Sequence, residues 1–179
     1  MQALLIIDMQ VGSFASVPRL EADLVIDRIN QLAERFRSRQ EPVIFIQHDG
    51  SAEGELIPGS DDWQLLPQLI RTNTEKIIAK TANDAFYRTG LADHLREQAI
   101  DHLFITGCAT DFCVNATVHS ALVKDYDLTI VSDGHTTADR PNLTARQLID
   151  FHNWLWPNLA TTRGRIVSHT ASEILKTCK

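Results

Sequence analysis

The sequence contains little cysteine: only three of its 179 residues. Such a small, odd number does not form the disulfide framework of a secreted domain, so we expect a reducing, cytoplasmic location. The N-terminus lacks the basic segment of a secretory signal peptide. No apolar run approaches the ~20 residues of a membrane span. These absences predict a protein without a membrane partner.

Positive charge is also scarce. Lysine and arginine total 17 against 23 aspartates and glutamates, and the net charge of −6 is accompanied by no basic stripe. This balance argues against a nucleic-acid partner. The chain also lacks internal repeats, a glycine-rich phosphate-binding loop and the Cys-x-x-Cys spacing of a thioredoxin-like motif. Its composition is that of an ordinary globular protein, and we expect a single domain over residues 1–179.

The chain does contain short apolar runs that alternate with amphipathic segments. Most runs are apolar almost throughout, which is typical of strands buried on both faces of a parallel sheet. This pattern predicts an α/β protein: a three-layer α/β/α sandwich with a mostly parallel central sheet and Rossmann-like topology. The predicted strands are Ala3–Ile7, Val43–Gln47, Lys76–Lys80, Leu103–Thr106, Leu128–Ser132 and Arg165–Ser168.

Amphipathic periodicity predicts helices between these strands. They are expected near residues 20–39, from a Thr89 cap through Leu95, after Cys113, and from Pro141 to Pro157. The longest irregular segment covers roughly residues 48–62, and loops of that length often have a function.

The segment Phe104–Thr117 joins an apolar run to a helical pattern. The apolar run ends at Gly107, a polar turn follows, and Cys113 lies in the first turn of the next periodic segment. A strand is therefore expected to lead into a helix whose N-terminal N–H groups and dipole lie beside the Cys113 sulfur. Such an environment lowers the pKa of a thiol, so Cys113 is predicted to be a nucleophile.

Two further polar residues lie at the ends of predicted strands. Asp8 follows the first strand and Lys80 closes the third, so the fold should bring both to the same rim as Cys113. A thiol, a carboxylate and an ammonium group suit thiol-based acyl transfer. Each residue also has a structural alternative: a core cysteine, a turn carboxylate or a solvated lysine.

Three motifs carry a family resemblance. They are Leu5-Ile6-Ile7-Asp8-Met9-Gln10, Lys80 followed by Ala85-Phe86 and Thr89-Gly90-Leu91, and Thr106-Gly107-Cys108-Ala109-Thr110-Asp111-Phe112-Cys113-Val114. Together they resemble the isochorismatase-like cysteine hydrolases, which include nicotinamidases and other small-amide hydrolases. The resemblance extends over nearly the whole chain, as far as Asn153-Trp154.

The resemblance implies roles for these residues. Asp8 would be the general base and acid, Lys80 its electrostatic partner, and Cys113 the nucleophile. Backbone N–H groups of Ala109 and Cys113 would form an oxyanion hole around a cis peptide at Cys108–Ala109. The family also implies a small-molecule amide or related C–N substrate, a thioester acyl-enzyme, and a homodimer or higher homo-oligomer.

The sequence differs from two subgroups of this family, and these differences narrow the expected chemistry. Members that cleave isochorismate lack the cysteine, so Cys113 indicates amide chemistry. Nicotinamidases carry an aspartate and several histidines after the second strand, which bind a metal. Here that region reads Gln47-His48-Asp49-Gly50-Ser51, with one histidine and one aspartate, and the next histidine is His94. We therefore expect no metal and no other cofactor. The alternatives are a nicotinamidase-type enzyme and a non-catalytic or thiol-redox protein with the same fold.

Sequence neighbours of the predicted catalytic residues are candidates for substrate binding, although ordinary core positions explain the aromatic ones equally well. His48 is expected to anchor a loop and Asp133 to act as a turn or cap residue. Trp154 and Trp156 suit either a subunit contact or burial. The predicted substrate-binding residues are Gln10, Phe14, Phe86 and Phe112.

Overall fold

The computed structural model describes residues 1–15 and 17–176. Within them, six strands form one sheet in the order β3-β2-β1-β4-β5-β6, with every neighbouring pair parallel. The strands are β1 Gln2–Ile7, β2 Val43–His48, β3 Lys76–Lys80, β4 His102–Cys108, β5 Asp127–Thr136 and β6 Ile166–His169. The helices are α1 Val11–Ala15, α2 Ala22–Ser38, α3 Leu91–Glu97, α4 Asn115–Leu122, α5 Ala145–Leu155 and α6 Ala171–Lys176.

The sheet is the middle of three layers, as predicted. Alternate residues of β1 belong to different cores: Ala3 and Leu5 pack with α3 and α4, whereas Leu4 and Ile6 pack with α2 and α6. Because side chains alternate across a strand, a strand covered on both faces must be apolar throughout. Among the described helices, none combines the length and apolar composition that crossing a bilayer requires.

Strand β5 is longer than predicted. It reaches Thr136, four residues beyond the predicted end, because His135 and Thr136 resume pairing with β4 after a register shift. The sequence Ser132-Asp133-Gly134-His135 is too polar to indicate a buried strand. The extension brings His135 to the edge of the sheet where β4 ends.

The start of α5 also differs from the prediction. Pro141 does not open the helix, because residues 140 and 143 first form an antiparallel bridge. Thr144 is the N-cap instead, and it forms a capping box with Gln147. The short helices α1 and α6 had not been predicted. Asp133 does act as a cap, since its carboxylate accepts a hydrogen bond from the Ala171 N–H at the start of α6, at 2.7 Å.

The two tryptophans at the end of α5 have different environments. Trp156 is fully buried, and its indole N–H donates to Asn115 Oδ1 at 2.9 Å. Trp154 is 62% exposed. Trp156 is therefore a core residue, whereas Trp154 lies on the surface.

Gly107 marks the closest approach of β4 to β1. Its φ is +122°, and a Cβ built there would lie 2.1 Å from the carbonyl oxygen of Ile7. No side chain fits between these two backbones, and the left-handed conformation itself favours glycine. Gly107 therefore allows the two central strands to carry Asp8 and the Cys113 segment side by side.

We expect Gly107→Ala to lower the free energy of unfolding by about 4 kcal/mol or more, because a backbone clash cannot relax through a rotamer change. Gly90→Ala is the matched control: its φ is ordinary, and a Cβ there meets nothing within 4 Å. The control should change stability by about 1 kcal/mol at most. Chemical unfolding and soluble yield measure both. Equal stabilities of the two variants would contradict this account.

Candidate active site

Asp8, Lys80 and Cys113 meet at the carboxyl edge of the sheet. Asp8 directly follows β1 with a positive φ of 49°, and Lys80 ends β3. Cys113 lies in one turn of π-helix, Thr110–Val114, that joins β4 to α4. The ammonium nitrogen of Lys80 lies 2.7 Å from Asp8 Oδ2 and 3.3 Å from Cys113 Sγ. Three residues distant in sequence thus form one compact group.

The Lys80 ammonium is the centre of this group. The residue is 2% exposed, and its Nζ also donates to the carbonyl oxygen of Ala82 at 2.9 Å. Burial alone would lower the pKa of Lys80, but the negative charge of Asp8 and the hydrogen bonds of the ammonium with Asp8 and Cys113 together outweigh burial and raise the pKa. Lys80 therefore remains an ammonium ion at neutral pH.

Asp8 is the acidic partner. Burial raises the pKa of its carboxyl group, and the charge of Lys80 opposes this rise without cancelling it. The result is a carboxylate that accepts a proton more readily than an ordinary aspartate. Such a group is suited to general base and acid chemistry near neutral pH.

The structure corrects the prediction for the Cys113 thiol. Its pKa is raised rather than lowered, first because the sulfur is partly buried and second because Asp8 is negatively charged. Lys80 opposes these effects but does not overcome them. Cys113 is therefore a neutral thiol in the free protein. Its ionisation requires a proton acceptor, and the Asp8 carboxylate is the adjacent one.

A cavity of about 200 Å³ opens beside these residues. Asp8, Cys113, Ala109 and Phe112 line it, together with residues from the segments that follow α1, β2 and β3. A larger recess of about 490 Å³ lies where β2 and β3 begin, at the opposite edge of the sheet from these groups. The small cavity is therefore the one that joins the thiol, the carboxylate and solvent.

Phe112 is the predicted substrate residue that the structure places in this cavity. Its ring is 49% exposed, and the guanidinium carbon of Arg140 lies 4.8 Å from the ring centroid. Arg140 thus supports one face of the ring. Phe112 is available to contact a ligand with the remainder of its surface.

The structure places Gln10 in a structural role. Its amide donates to the carbonyl oxygens of His48 and Trp63 at 3.1 and 3.0 Å, and its oxygen accepts from the His48 N–H at 2.7 Å. The side chain is fully buried and is not among the described residues that line the cavity. Gln10 joins the end of β1 to the end of β2 and the irregular segment after it.

Phe14 and Phe86 also lie away from the described cavity lining. Phe86 is buried in the core on the α3 side and stacks on Tyr126, with ring centroids 5.6 Å apart. Phe14 packs against the core beneath α2. Proximity in sequence to a catalytic residue does not ensure proximity in space, and both rings have packing roles.

A buried chain of hydrogen bonds supports the start of the nucleophile turn. Asn153 Nδ2 donates to the Ser132 carbonyl, so its Oδ1 is free to accept from His135 Nε2, at 3.0 Å. His135 Nδ1 then accepts from the Thr110 hydroxyl at 2.9 Å. This order requires a neutral imidazole. Burial of His135 accordingly lowers its pKa to about 4.

A second polar cluster holds the same turn. The carboxylate of Asp111 accepts from Arg140 Nε at 2.7 Å and from the Thr137 hydroxyl at 2.6 Å. These hydrogen bonds outweigh burial and lower the pKa of Asp111. The Ala109 carbonyl also accepts from the Val114 N–H at 3.1 Å, and the Cys108–Ala109 peptide bond is cis. Hydrogen bonds of Thr110 and Asp111 before Cys113, and of Val114 after it, therefore hold the segment that carries the nucleophile.

Residues with metal-binding side chains are sparse here. His48 lies at the end of β2 with its Nδ1 3.5 Å from Lys80 Nζ, and Asp49 accepts a hydrogen bond from the Ser51 N–H. Burial and the charge of Lys80 lower the pKa of His48. In residues 1–15 and 17–176, no three acidic, histidine or cysteine side chains are grouped as a metal site. Cys178 lies outside these residues.

Comparisons with known proteins identify the family of this chain. The model of the isochorismatase domain family matches residues 2–153. Streptothricin hydrolase from Streptomyces noursei is 32% identical over 143 residues, which cover 78% of this chain and 56% of that protein. The chain thus spans about half the length of this curated relative. Nicotinamidase from Escherichia coli K12 is 30% identical over 176 residues, covering 74% of this chain and 82% of the relative.

Solved structures show the same fold. The crystal structure of an isochorismatase family protein is 37% identical, with a TM-score of 0.85 over 93% of this chain and 98% of the other. N-carbamoylsarcosine amidase from Thermoplasma acidophilum has a TM-score of 0.74 at 23% identity, covering 95% and 96% of the two chains. The second likeness extends to the fold alone.

The neutral state of His135 predicts a dependence of stability on pH. Its folded pKa of about 4 lies below the ordinary 6.5, so the unfolded chain binds a proton that the folded chain does not. The free energy of unfolding should therefore decrease as pH falls through this window, by about 3 kcal/mol for this group. His135→Gln removes the titrating group while retaining an amide for hydrogen bonding. Urea unfolding between pH 7 and 4 should give a shallower decrease for the variant, whereas parallel curves would contradict the assignment.

Proposed function

Because this chain belongs to the isochorismatase family, we propose that it is a cysteine-dependent hydrolase of a small amide or related C–N bond. The observation that carries the proposal is the buried Lys80 ammonium, 2.7 Å from the Asp8 carboxylate and 3.3 Å from the Cys113 sulfur. A nucleophile, a base and a cation that stabilises their charges are thus within contact distance beside an open cavity.

The first step is proton transfer from Cys113 to Asp8. The thiolate attacks the carbonyl carbon of the substrate, a C–S bond forms, and the carbonyl oxygen becomes an oxyanion. Burial raises the pKa of Asp8, so the carboxyl group holds the proton through this step. Lys80 stabilises the thiolate and limits the cost of moving the proton away from sulfur.

The backbone N–H groups of Ala109 and Cys113 are the proposed oxyanion donors. Ala109 lines the cavity next to the nucleophile, and the Asp111 and Thr110 clusters fix the turn between them. Donors held in place before the reaction stabilise a developing charge without reorganisation.

The second half of the reaction releases both products. The C–N bond breaks as Asp8 returns its proton to the nitrogen, ammonia or an amine leaves, and a thioester remains on Cys113. Asp8 then accepts a proton from water while the hydroxide oxygen attacks the thioester carbonyl. The C–S bond breaks, the carboxylic acid is released, and the proton returns from Asp8 to sulfur. No oxidant or external acid is consumed.

The thiol-redox alternative has less support from the site. Burial raises the pKa of Cys108 to about 12, so its thiolate is scarce at neutral pH. Both Cys108 and Cys113 are free thiols, and Cys113 is paired instead with Lys80. A partly exposed sulfur beside a base and a cation is better suited to acyl transfer than to exchange with a shielded second thiol.

We expect Cys113→Ala and Asp8→Asn each to lower kcat by about a thousandfold or more, and the double variant to lose little beyond the worse single one. Residues that act in one proton-transfer unit are not additive. A screen of small amides, ureas and carbamoyl compounds for released ammonia supplies the substrate. Asp133→Asn is the matched control, because this carboxylate caps α6 away from the described cavity lining. Near-normal turnover by Asp8→Asn would require a different base.

A second prediction separates this mechanism from the nicotinamidase-type alternative. Activity should survive exhaustive chelation, because the sequence has no histidine between His48, the last residue of β2, and His94, and the Lys80 ammonium beside His48 repels a cation. Ammonia release is measured before and after chelation, together with metal analysis of the purified protein. Loss of activity that one divalent ion restores would favour the metal-dependent alternative.

A further inference from the structure

Arg19 lines the same cavity as Asp8 and Cys113. It lies between α1 and α2, outside the three motifs, and the proposed chemistry assigns it no role. The residue is partly buried rather than fully solvated. A cation at the wall of a small reaction cavity requires an explanation, because charges removed from water are normally paired.

The Arg19 side chain is fixed in orientation. Its Nε donates to the Ser13 carbonyl oxygen at 2.8 Å, and Ser13 lines the cavity as well. Neither terminal nitrogen of the guanidinium group has a hydrogen-bond partner among residues 1–15 and 17–176. Two such nitrogens form the fork that pairs with both oxygens of a carboxylate.

Other partly buried arginines have acidic partners. Arg37 pairs with Glu75 at 2.8 Å, and Arg140 pairs with Asp111 at 2.7 Å. Among residues 1–15 and 17–176, no carboxylate lies within 4 Å of the Arg19 guanidinium group. Arg19 thus borders the cavity as a cation that has no counter-ion among the described residues, although it also borders a second recess lined by Glu21 and Asp139.

The charge of Arg19 acts on Cys108, the residue that precedes the proposed oxyanion donor Ala109. It opposes the burial that raises the pKa of the Cys108 thiol, so the guanidinium lies within electrostatic range of the residue bonded to Ala109. Ala109 is a proposed oxyanion donor. An anionic group on the substrate could therefore contact Arg19 while its amide carbonyl lies against Cys113.

We propose that Arg19 binds a carboxylate of the substrate, and that the substrate is a short amide or carbamoyl compound that carries a free carboxylate. That the substrate is an amide rests on the proposed hydrolysis. That it carries a carboxylate rests on Arg19 alone. The cavity is small, about 200 Å³, so only a short chain can join an amide carbonyl at Cys113 to a carboxylate at Arg19.

Alkylation of Cys113 tests the carboxylate site without requiring turnover. The probes are iodoacetate with iodoacetamide, and 3-iodopropionate with its amide; each pair differs in charge at nearly constant shape. In at least one pair, Arg19→Gln should slow labelling by the acid about 10–100-fold, the value of one charge-assisted hydrogen-bond pair. Labelling by the matching amide should change by less than about threefold. Arg19→Lys should restore part of the reactivity toward the acid.

Arg88→Gln is the matched control, because Arg88 is exposed and packs over the Tyr87 ring outside the described cavity lining. It should leave all four labelling rates unchanged. Fragmentation of the labelled peptide distinguishes Cys113 from Cys108. Equal slowing of acids and amides by Arg19→Gln would indicate a general effect on the thiol, and no slowing would indicate a solvated side chain. Either result would overturn the proposal.

Hydrolysis provides the second measurement. Succinamate and succinamide form a matched pair, and the acid should have the higher kcat/KM, lost mainly through KM in Arg19→Gln. Charge-dependent labelling without ammonia release from any amide would retain the anion site and reject the proposed hydrolysis. Hydrolysis that ignores both the carboxylate and Arg19 would retain the hydrolase and reject the anion site.

Discussion

The buried ion pair between Lys80 and Asp8 sets the electrostatics of the whole edge of the sheet. Two charges removed from water are tolerated only when they are paired closely, and removal of one partner of such a pair is strongly destabilising. Here the pair, at 2.7 Å, has the Cys113 sulfur as a third member. Burial raises the pKa values of both Asp8 and Cys113, and the shared Lys80 cation opposes that rise at each group.

The topology explains why these residue types occupy these positions. Asp8 and the Cys113 turn follow β1 and β4, which are neighbours in the sheet, whereas β3 is separated from β1 by β2. Strands lie about 4.8 Å apart, so a group on β3 must reach across one intervening strand. Lysine has a long side chain that spans this distance. The order 3-2-1-4-5-6 also places the crevice beside β1 and β4, where successive crossovers run in opposite directions.

Much of this arrangement could be predicted from sequence. Runs that are apolar throughout indicate strands of a parallel sheet covered on both faces, and the ends of these runs indicate where the site lies. Lys76–Lys80 was predicted to the residue, and the meeting of Asp8, Lys80 and Cys113 follows from the rule for carboxyl edges. The start of α5 could also have been predicted, since Thr144 and Gln147 have capping-box spacing. However, Pro141 is a stronger local signal for the first residue of a helix.

Other features depend on tertiary contacts that no local pattern encodes. The polar end of β5 becomes a strand only through pairing with β4. Arg19 reaches the cavity through the path of the loop after α1, and Gln10 turns inward to hold His48. The pKa of Cys113 also depends on burial and on Asp8, neither of which the sequence around Cys113 encodes.

Because the pKa of the Cys113 thiol is raised rather than lowered, the turn around Cys113 has a different chemical role from the predicted one. A thiol whose pKa is raised in the free protein has a small thiolate fraction, and oxidation follows thiolate character. The resting sulfur is therefore protected, and its reactivity depends on proton transfer to Asp8. Such transfer requires fixed geometry rather than a diffuse helix dipole. The hydrogen bonds of Thr110 with His135 and of Asp111 with Arg140 provide it, because they hold the backbone on the N-terminal side of Cys113 in place.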